Sequence, residues 1–228
     1  MHKLAIVGYG KMGRMIETLA PEYGFPVHAR IDVNDDISLA RGADVAIEFS
    51  RPEAAVGNVE KLAALGVPVV VGTTGWLSEM DRVRASIEAH DGGLVWSPNF
   101  SIGVNVFSRL VKEAAKLLAD EPQYGAWAWE IHHSTKKDAP SGTLIKLVND
   151  MKNAGYSRGI DTGSNRAGAH PGTHEIGFDS GADTITLRHA ARSREGFARG
   201  ALKAAQWIVG KKGVFEFSEV LFSKGDAG

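Results

Sequence analysis

The feature that most constrains this fold is the regular alternation of strand-like and helix-like segments over residues 1–100. The runs KLAIVGYG, ADVAIEFS and VPVVVGTTG each contain a short, nearly continuous apolar stretch, which is typical of strands buried on both faces. Segments with helical spacing of apolar residues lie between them and end at Gly24 and Gly66. This alternation predicts a parallel sheet with helices on both faces.

Beyond Phe100 the pattern changes. AWAWEIHH, THEIGFD and DTITLRHAA alternate between apolar and polar residues, which suits an antiparallel or mixed sheet with one covered face. The alternation puts Glu130 and His132 on one face and Trp129 on the other. The polar, Gly-rich stretch 157–172 is predicted to be a connection. Two domains are therefore expected, with a boundary near Phe100, and periodicity leaves open where the last helix packs.

Charge and composition exclude several functions. The 26 basic and 27 acidic residues give no global attraction to nucleic acid or to an anionic membrane surface. The chain has no cysteine, which excludes disulfides and thiolate metal sites, and no apolar run approaches the roughly 20 residues that span a bilayer. Because the first strand-like segment begins at Lys3, we expect no targeting peptide and a cytoplasmic globular protein.

A glycine-rich turn follows the first strand. Gly8, Gly10 and Gly13 have the spacing GxGxxG between a strand and a helix, and Asp32 ends the second strand. Glycines at these positions allow a tight turn, approach of a pyrophosphate to the backbone and close helix–strand packing, while the acid holds a ribose hydroxyl. The motif with its full context predicts dinucleotide binding, and an ordinary Gly-rich turn is the alternative.

Two more loops follow predicted strands. Residues 72–75, GTTG, come after the fourth strand, and residues 97–101, SPNFS, come after the fifth. Ligands of such sheets bind beyond the carboxyl ends of the strands, so these small and hydroxyl-bearing residues are expected near a nicotinamide ring. Each loop alone has an equally good interpretation as a plain turn.

The stretch 132–143, HHSTKKDAPSGT, combines proton-transfer groups with a helix start. Pro140 and Ser141 suit the first turn and cap of a helix, whose free N–H groups at Gly142 and Thr143 form an anion pocket suited to a carboxylate. His132 can exchange a proton near neutral pH. Taken alone, a His-His pair beside lysines is more often a solvated strand end. A metal site is disfavoured because no third ligand is evident and lysines lie nearby.

EIHHSTKKDAPSGT resembles the signature of the 4-hydroxy-tetrahydrodipicolinate reductase (dihydrodipicolinate reductase) family, E-x-H-H-x-x-K-x-D-A-P-S-G-T, at every fixed position. The resemblance extends to GTTG, SPNFSIGVN, RAGAHPGTHEIGF and HAARSREGFARGALKAAQWIVGKKGVFEF. It implies an NADH- or NADPH-dependent oxidoreductase of lysine and diaminopimelate biosynthesis. Such an enzyme reduces a cyclic imine dicarboxylate, 4-hydroxy-tetrahydrodipicolinate, to tetrahydrodipicolinate.

The resemblance also implies an architecture. It is a Rossmann-type parallel-sheet domain for the dinucleotide, 1–100 with 198–228, and an α+β substrate and tetramerisation domain with a mixed sheet, 101–197. A homotetramer is expected, with a small dicarboxylate as substrate and neither nucleic acid nor membrane as partner.

The family's site residues are carried onto the matching positions. His132 is implied as proton donor or acceptor and Lys136 as second proton donor or orienting cation, while His133, Gly142 and Thr143 bind the substrate's carboxylates, and no metal is implied. The implied cofactor-binding residues are Gly8, Tyr9, Gly10, Lys11, Met12, Gly13, Asp32, Gly72, Thr73, Thr74, Ser97, Pro98, Asn99 and Phe100.

The residues near Asp32 bear on cofactor preference. Asp32 favours the ribose diol of NADH and repels a 2′-phosphate, whereas Arg30, Lys11 and Arg14 are close enough in sequence to offer a counter-charge. NADH with NADPH usable is therefore the expectation. Two other functions stay open at this point: another NAD(P)-dependent amino- or keto-acid dehydrogenase, and a non-catalytic dinucleotide sensor.

Overall fold

The computed structural model describes residues 1–223, which fold into two compact units. One unit contains Met1–Ile102 together with the chain from Glu195 onward, and the other contains Gly103–Arg194. The expected range 198–228 includes 224–228, which lie outside the described residues.

The bounds of the elements are as follows. The strands are β1 Leu4–Val7, β2 Val27–Ile31, β3 Val45–Glu48, β4 Val69–Val71, β5 Gly93–Trp96, β6 Gly125–His132, β7 Ile160–Arg166, β8 Thr173–Asp179, β9 Thr184–Ala190 and β10 Gly213–Glu216. The α-helices are α1 Lys11–Leu19, α2 Pro52–Ala64, α3 Met80–Ala89, α4 Ile102–Leu117, α5 Gly142–Asn153, α6 Glu195–Ile208 and α7 Phe217–Phe222.

The first unit is built on a parallel sheet with strand order β10-β5-β4-β3-β1-β2. Leu4 and Ile6 of β1 pack on one face with residues of α1 and α6, and the alternate residues Ala5 and Val7 pack on the other face with residues of α2 and α3. Burial on both faces explains why the strands are apolar throughout. The predicted parallel sheet is confirmed. The direction of strand order reverses beside β1, which is where open α/β sheets bind ligands.

The second unit has a four-stranded sheet with order β7-β6-β8-β9. β6 pairs parallel with β7 and antiparallel with β8, so the predicted mixed sheet is confirmed. Phe107 and Val111 of α4 and Leu144 of α5 share a core with Ala126 and Ala128 of β6. These small β6 side chains leave room for the helices on that face.

The stretch 157–172 differs from its prediction as a plain connection, because it contains β7. Its sequence IDTGSNR is polar with a central glycine, and most of its residues are exposed at the edge of the sheet. An edge strand of this kind lacks the apolar alternation on which sequence-based identification depends. The strand matters for the site because it carries Ser164 and Arg166.

Candidate active site

The glycine turn after β1 has the conformation that the motif requires. Gly8 has a φ of +89°, and a side chain there would collide with the carbonyl oxygen of Phe49. A side chain at Gly13 would collide with the carbonyl oxygen of Gly8, because helix and turn pack closely. Gly10 is different, since a Cβ built there meets nothing within 4 Å. The backbone at Gly10 is therefore open to an approaching ligand.

A cleft of about 650 Å³ lies beside this turn, at the carboxyl ends of β1, β2 and β3. Gly8, Gly10 and Asp32, which the sequence predicted as cofactor residues, all line it. Its other lining residues include polar and charged groups that the sequence reasoning missed, namely Asn34, Asp35, Asp36, Ser50, Arg51, Asn58 and Lys61. An open backbone at a helix N-terminus, a roomy cleft and an acid at the end of β2 fit a dinucleotide.

Of the three cations proposed as counter-charges near Asp32, Arg30 is already engaged. Its Nε donates to Glu17 Oε1 at 2.6 Å, and Tyr9 also donates to the Glu17 carboxylate. These hydrogen bonds lower the pKa of Glu17. Arg14 lies 5.7 Å from the centre of the Tyr9 ring. Arg51 and Lys61 are the basic residues that line the cleft itself.

A buried carboxyl group holds one wall of this cleft in place. Glu48, at the end of β3, has no exposed surface, and burial raises its pKa. Glu48 Oε1 accepts hydrogen bonds from the backbone N–H of Ser50 at 3.1 Å and from Asn58 Nδ2 at 3.4 Å. Ser50 and Asn58 both line the cleft, so Glu48 holds part of its wall.

The two loops after β4 and β5 come together. Thr73, Thr74, Ser97 and Pro98 border one small cavity of about 20 Å³. Gly72 is required by its surroundings, because a side chain there would collide with the ring of Phe49.

The second of these loops is held by its own side chains and by the core. Ser97 Oγ donates to the carbonyl of Asn99 at 2.9 Å and accepts from its N–H at 3.1 Å. Phe100 is only 1% exposed, and its ring packs 4.9 Å from that of Phe217. Its side chain belongs to the core, which leaves only its backbone for a cofactor.

The inner face of β6 becomes polar toward its carboxyl end. Ala126 and Ala128 are followed on that face by Glu130 and His132, and all four are buried. The alternation predicted that Glu130 and His132 share a face, but not that this face is the buried one. The register places Ser164 of β7 and His174 of β8 directly opposite Glu130, and Arg166 opposite His132. Residues opposite one another on adjacent strands share a face. The sheet therefore assembles these polar side chains without help from a loop.

The loop after β6 carries the other predicted site residues. His133 Nδ1 lies 2.7 Å from Thr135 Oγ1, and Lys136 Nζ lies 2.8 Å from Asp138 Oδ1. The hydrogen bond from Lys136 lowers the pKa of Asp138. Lys136 is thus held by an acid and stays available as a cation near the strand end.

The predicted helix start is present at α5. Ser141 is its N-cap, and Ser141 Oγ accepts from the backbone N–H of Leu144 at 3.2 Å. Gly142 and Thr143 are its first two residues, and a Cβ built at Gly142 meets nothing within 4 Å. The exposed backbone of this first turn suits a carboxylate. Ser141 also donates its N–H to Glu130 Oε1 at 2.8 Å, which joins the helix start to the strand that carries His132.

The electrostatics of the buried groups depend on burial and on Glu130. Burial lowers the pKa of His132, and the neighbouring Glu130 carboxylate opposes this effect. Burial also lowers the pKa of His174 to about 4, helped by the neighbouring His132. Burial acts to raise the pKa of Glu130, but hydrogen bonds from Ser141 and Arg166 outweigh it and hold the pKa below its usual value. Glu130 is therefore an anion at neutral pH and His174 is neutral.

Glu130, His132 and His174 have donor atoms within 4.8 Å of one another, so the expectation that no third metal-ligand candidate lies near His132 was wrong. The sequence alone does not reveal this grouping, because His174 reaches it from β8 through strand pairing. Arg166 Nη2, however, lies 3.0 Å from Glu130 Oε1 and opposes a second cation. The donor set fits a hydrogen-bonded proton-transfer site better than a metal centre.

The missed residues Ser164, Arg166 and His174 differ in whether the sequence gave any sign of them. Arg166 and His174 lie within RAGAHPGTHEIGF, a stretch that carries the family resemblance but no assigned role. Ser164 lies on the unrecognised strand β7 and had no signal.

The chain matches two family models along nearly its whole length. Residues 2–100 match the N-terminal domain of dihydrodipicolinate reductase, and residues 103–221 match its C-terminal domain. A 4-hydroxy-tetrahydrodipicolinate reductase of Christiangramia forsetii is 35% identical, over 96% of this chain and 97% of the relative. One of Archaeoglobus fulgidus is 36% identical, over 93% and 96%.

A solved structure of similar fold is the dipicolinate-bound dihydrodipicolinate reductase from Paenisporosarcina sp. TG-14. It has a TM-score of 0.78 and 22% identity, and the match covers 95% of this chain and 97% of the solved one. At that identity the match supports the fold, and the family models and curated relatives support membership. The chain belongs to the dihydrodipicolinate reductase family.

Proposed function

We propose that this chain reduces 4-hydroxy-tetrahydrodipicolinate to tetrahydrodipicolinate with NADH or NADPH, in lysine and diaminopimelate biosynthesis, and that His132 is its proton donor. The observation that carries the residue assignment is the placement of His132 at the end of β6, linked through Glu130 and Ser141 to the open N-terminus of α5. A proton-transfer group joined to an anion site is what reduction of an anionic imine requires. The solved reductase from Paenisporosarcina sp. TG-14 is bound to dipicolinate, which supports a dicarboxylate substrate.

The first unit binds the dinucleotide in this proposal. The turn at Gly8, Gly10 and Gly13 receives the pyrophosphate, and Asp32 receives a ribose hydroxyl. The loops at 72–74 and 97–100 would hold the nicotinamide ring. When bound, the reduced nicotinamide would supply the hydride that reduces C4 of the substrate ring.

The second unit holds the substrate and supplies the proton. The first turn of α5, with Gly142 and Thr143, and the side chain of His133 hold the carboxylates. Negative charge spreads toward the ring nitrogen and C3 of the conjugated substrate as hydride arrives, and a proton from His132 neutralises it. The 4-hydroxy form must first lose water, because its saturated C4 accepts a hydride only after the conjugated imine has formed. Burial lowers the pKa of His132 when no substrate is bound. The negative charge of a bound dicarboxylate raises that pKa and so favours the protonated imidazole.

Lys136 adds a cation near the same end of β6. Its ammonium group is held by Asp138 at 2.8 Å, which fixes it beside the strand end that carries His132. We assign it to orienting a carboxylate or supplying a second proton.

Replacement of the two groups tests these roles. His132→Gln and Lys136→Ala should each lower kcat by roughly 10²-fold or more while leaving the Kd for NADH unchanged, because the dinucleotide residues lie in the other unit. Lys112→Ala, an exposed lysine of α4, is the matched control and should keep the kcat of the original protein. Turnover near the original value in either site variant would remove that residue from the mechanism.

The cellular location completes the proposal, together with the assembly. Among residues 1–223, no helix is both long and apolar enough to span a membrane. We assign the enzyme to the cytoplasm, a reducing compartment with which a chain without cysteine is compatible.

The assembly is assigned as a homotetramer. Trp127 and Trp129 lie half-buried on the outer face of β6, a surface of the kind that subunits bury on association. Sedimentation equilibrium should give a particle four times the chain mass of 24.4 kDa, and a monomer would refute the assignment.

A further inference from the structure

Glu130 is a fully buried carboxylate at the centre of the second unit's polar face. Leaving water costs a charged group several kcal/mol, so a buried carboxylate persists only where donors surround it. The question is whether these donors serve only the fold or also the reacting group.

The partners of Glu130 come from two other elements, the start of α5 and β7. Oε1 accepts from the N–H of Ser141 at 2.8 Å, from Ser164 Oγ at 3.0 Å and from Arg166 Nη2 at 3.0 Å. Oε2 accepts from the hydroxyl of Ser141. The carboxylate thereby fixes the α5 N-cap to β6 and β7.

The carboxylate also faces the reacting histidine. His132 Nδ1 lies 3.4 Å from Glu130 Oε2, is buried, and makes no hydrogen bond to any described residue. On the opposite edge of the ring, a Cβ built at Gly172 would lie 3.0 Å from both Cδ2 and Nε2. The Nδ1 edge of the ring therefore faces the carboxylate, and the missing side chain of Gly172 leaves space beside Nε2.

We infer that Glu130 is a positioning residue for the reduction, holding His132 with Nδ1–H toward the carboxylate so that Nε2 handles the proton, and fixing the carboxylate-binding helix start relative to it. The inference rests on the proposed function, because it takes His132 as the proton donor. A carboxylate beside one ring nitrogen selects the tautomer of a histidine and stabilises its cation. Ser141 extends this control to α5, so that one side chain sets both halves of the substrate site.

Several charged or titratable groups face His132. Glu130 comes from its own strand, Arg166 from β7, His174 from β8, and Lys136 and Asp138 from the loop after β6. Glu130 and Asp138 favour the imidazolium, while Arg166 and Lys136 disfavour it. Removing the charge of Glu130 therefore leaves the pKa-lowering effect of Arg166 and Lys136 less opposed, so the pKa of His132 falls.

Glu130→Gln keeps the size of the side chain and removes its charge. We expect kcat to fall by about 10- to 100-fold, with the Kd for NADH unchanged, since the proton donor loses its orientation. Nitrogen NMR of the His132 ring, recorded without substrate, should show its titration midpoint moving down by about one pH unit or more. A purely structural role would lower the folded fraction and leave that midpoint in place.

Glu113→Gln is the matched control. It makes the same exchange at an exposed carboxyl group of α4, in the same unit, and leaves Glu130 and its contact to His132 intact. It should keep the original kcat and the original His132 midpoint. Equal effects of the two substitutions would overturn the inference.

Nitrogen NMR of the His132 ring in the unmodified protein is a further test, which does not depend on whether a variant folds. Above its titration midpoint, His132 should carry its proton on Nδ1, and a ring protonated on Nε2 overturns the inference. An unchanged kcat together with an unchanged His132 titration midpoint in Glu130→Gln would also overturn the inference. If the unmodified protein fails to turn over, the proposed function fails, and the NMR result still decides whether Glu130 controls the His132 ring.

Discussion

Replacing Gly10 with alanine tests whether the first unit binds a dinucleotide through the open backbone of its glycine turn. Gly10 caps α1 with a φ of −82°, which any residue adopts, and a Cβ there meets nothing within 4 Å. The substitution should therefore leave the free energy of unfolding nearly unchanged. The methyl group would occupy the space through which a pyrophosphate reaches the N–H groups of the first turn of α1.

The magnitude follows from the hydrogen bonds at stake. A hydrogen bond to a charged group contributes about 1.5–3 kcal/mol, so losing one should weaken NADH binding roughly 10- to 150-fold. Titration with NADH, followed by quenching of the five tryptophans, measures the Kd. An unchanged Kd in Gly10→Ala would refute the assignment of this turn to the pyrophosphate.

Two other glycines are the controls for Gly10. Gly8→Ala should cost about 2–5 kcal/mol in the free energy of unfolding, because φ is +89° and the new methyl group meets the Phe49 carbonyl. Gly57→Ala, in open space within α2, should gain about 0.5–1 kcal/mol and leave the Kd for NADH unchanged. Equal stabilities of the Gly8 and Gly57 variants in urea would contradict this account of the turn.

The remaining predictions concern cofactor choice and pH. Asp32→Ser removes the charge that repels a 2′-phosphate, so kcat/KM for NADPH relative to NADH should rise about tenfold or more, and an unchanged ratio would exclude Asp32 as the discriminating group. The pKa of His174 is about 4 in the folded chain against 6.5 when exposed, so the unfolded chain binds more protons between these values. The free energy of unfolding should therefore fall as pH drops from 6.5 to 4, by at most roughly 3 kcal/mol from this residue. His174→Gln should flatten that decline in urea unfolding at stepped pH, and an unchanged slope would assign the decline to other groups such as His132, whose pKa burial also lowers.

The parts of the fold that could be predicted were those with strong local patterns. The glycine turn and the first strands have both periodicity and punctuation, and the start of α5 has its cap, Ser141, in place. The face shared by Glu130 and His132 followed from the two-residue repeat of a strand.

The parts that could not be predicted depend on pairing between distant segments. Ser164, Arg166 and His174 join Glu130 only through the register of β7 and β8, and β7 lacks an apolar pattern because it is an exposed edge. Arg30 is close to Asp32 in sequence but forms its ion pair with Glu17 of α1. Spacing along the chain indicated which residues have useful chemistry, whereas strand register determined which of them meet.

The most direct test of the central claim is a coupled assay with the preceding pathway enzyme, which supplies 4-hydroxy-tetrahydrodipicolinate, while loss of the reduced nicotinamide's absorbance is followed. The account predicts oxidation of NADH or NADPH that depends on this substrate and falls by roughly 10²-fold in His132→Gln. No oxidation of either cofactor, with NADH still bound, would contradict the account and favour a non-catalytic dinucleotide sensor. Turnover only with a different amino or keto acid would contradict it in favour of another dehydrogenase.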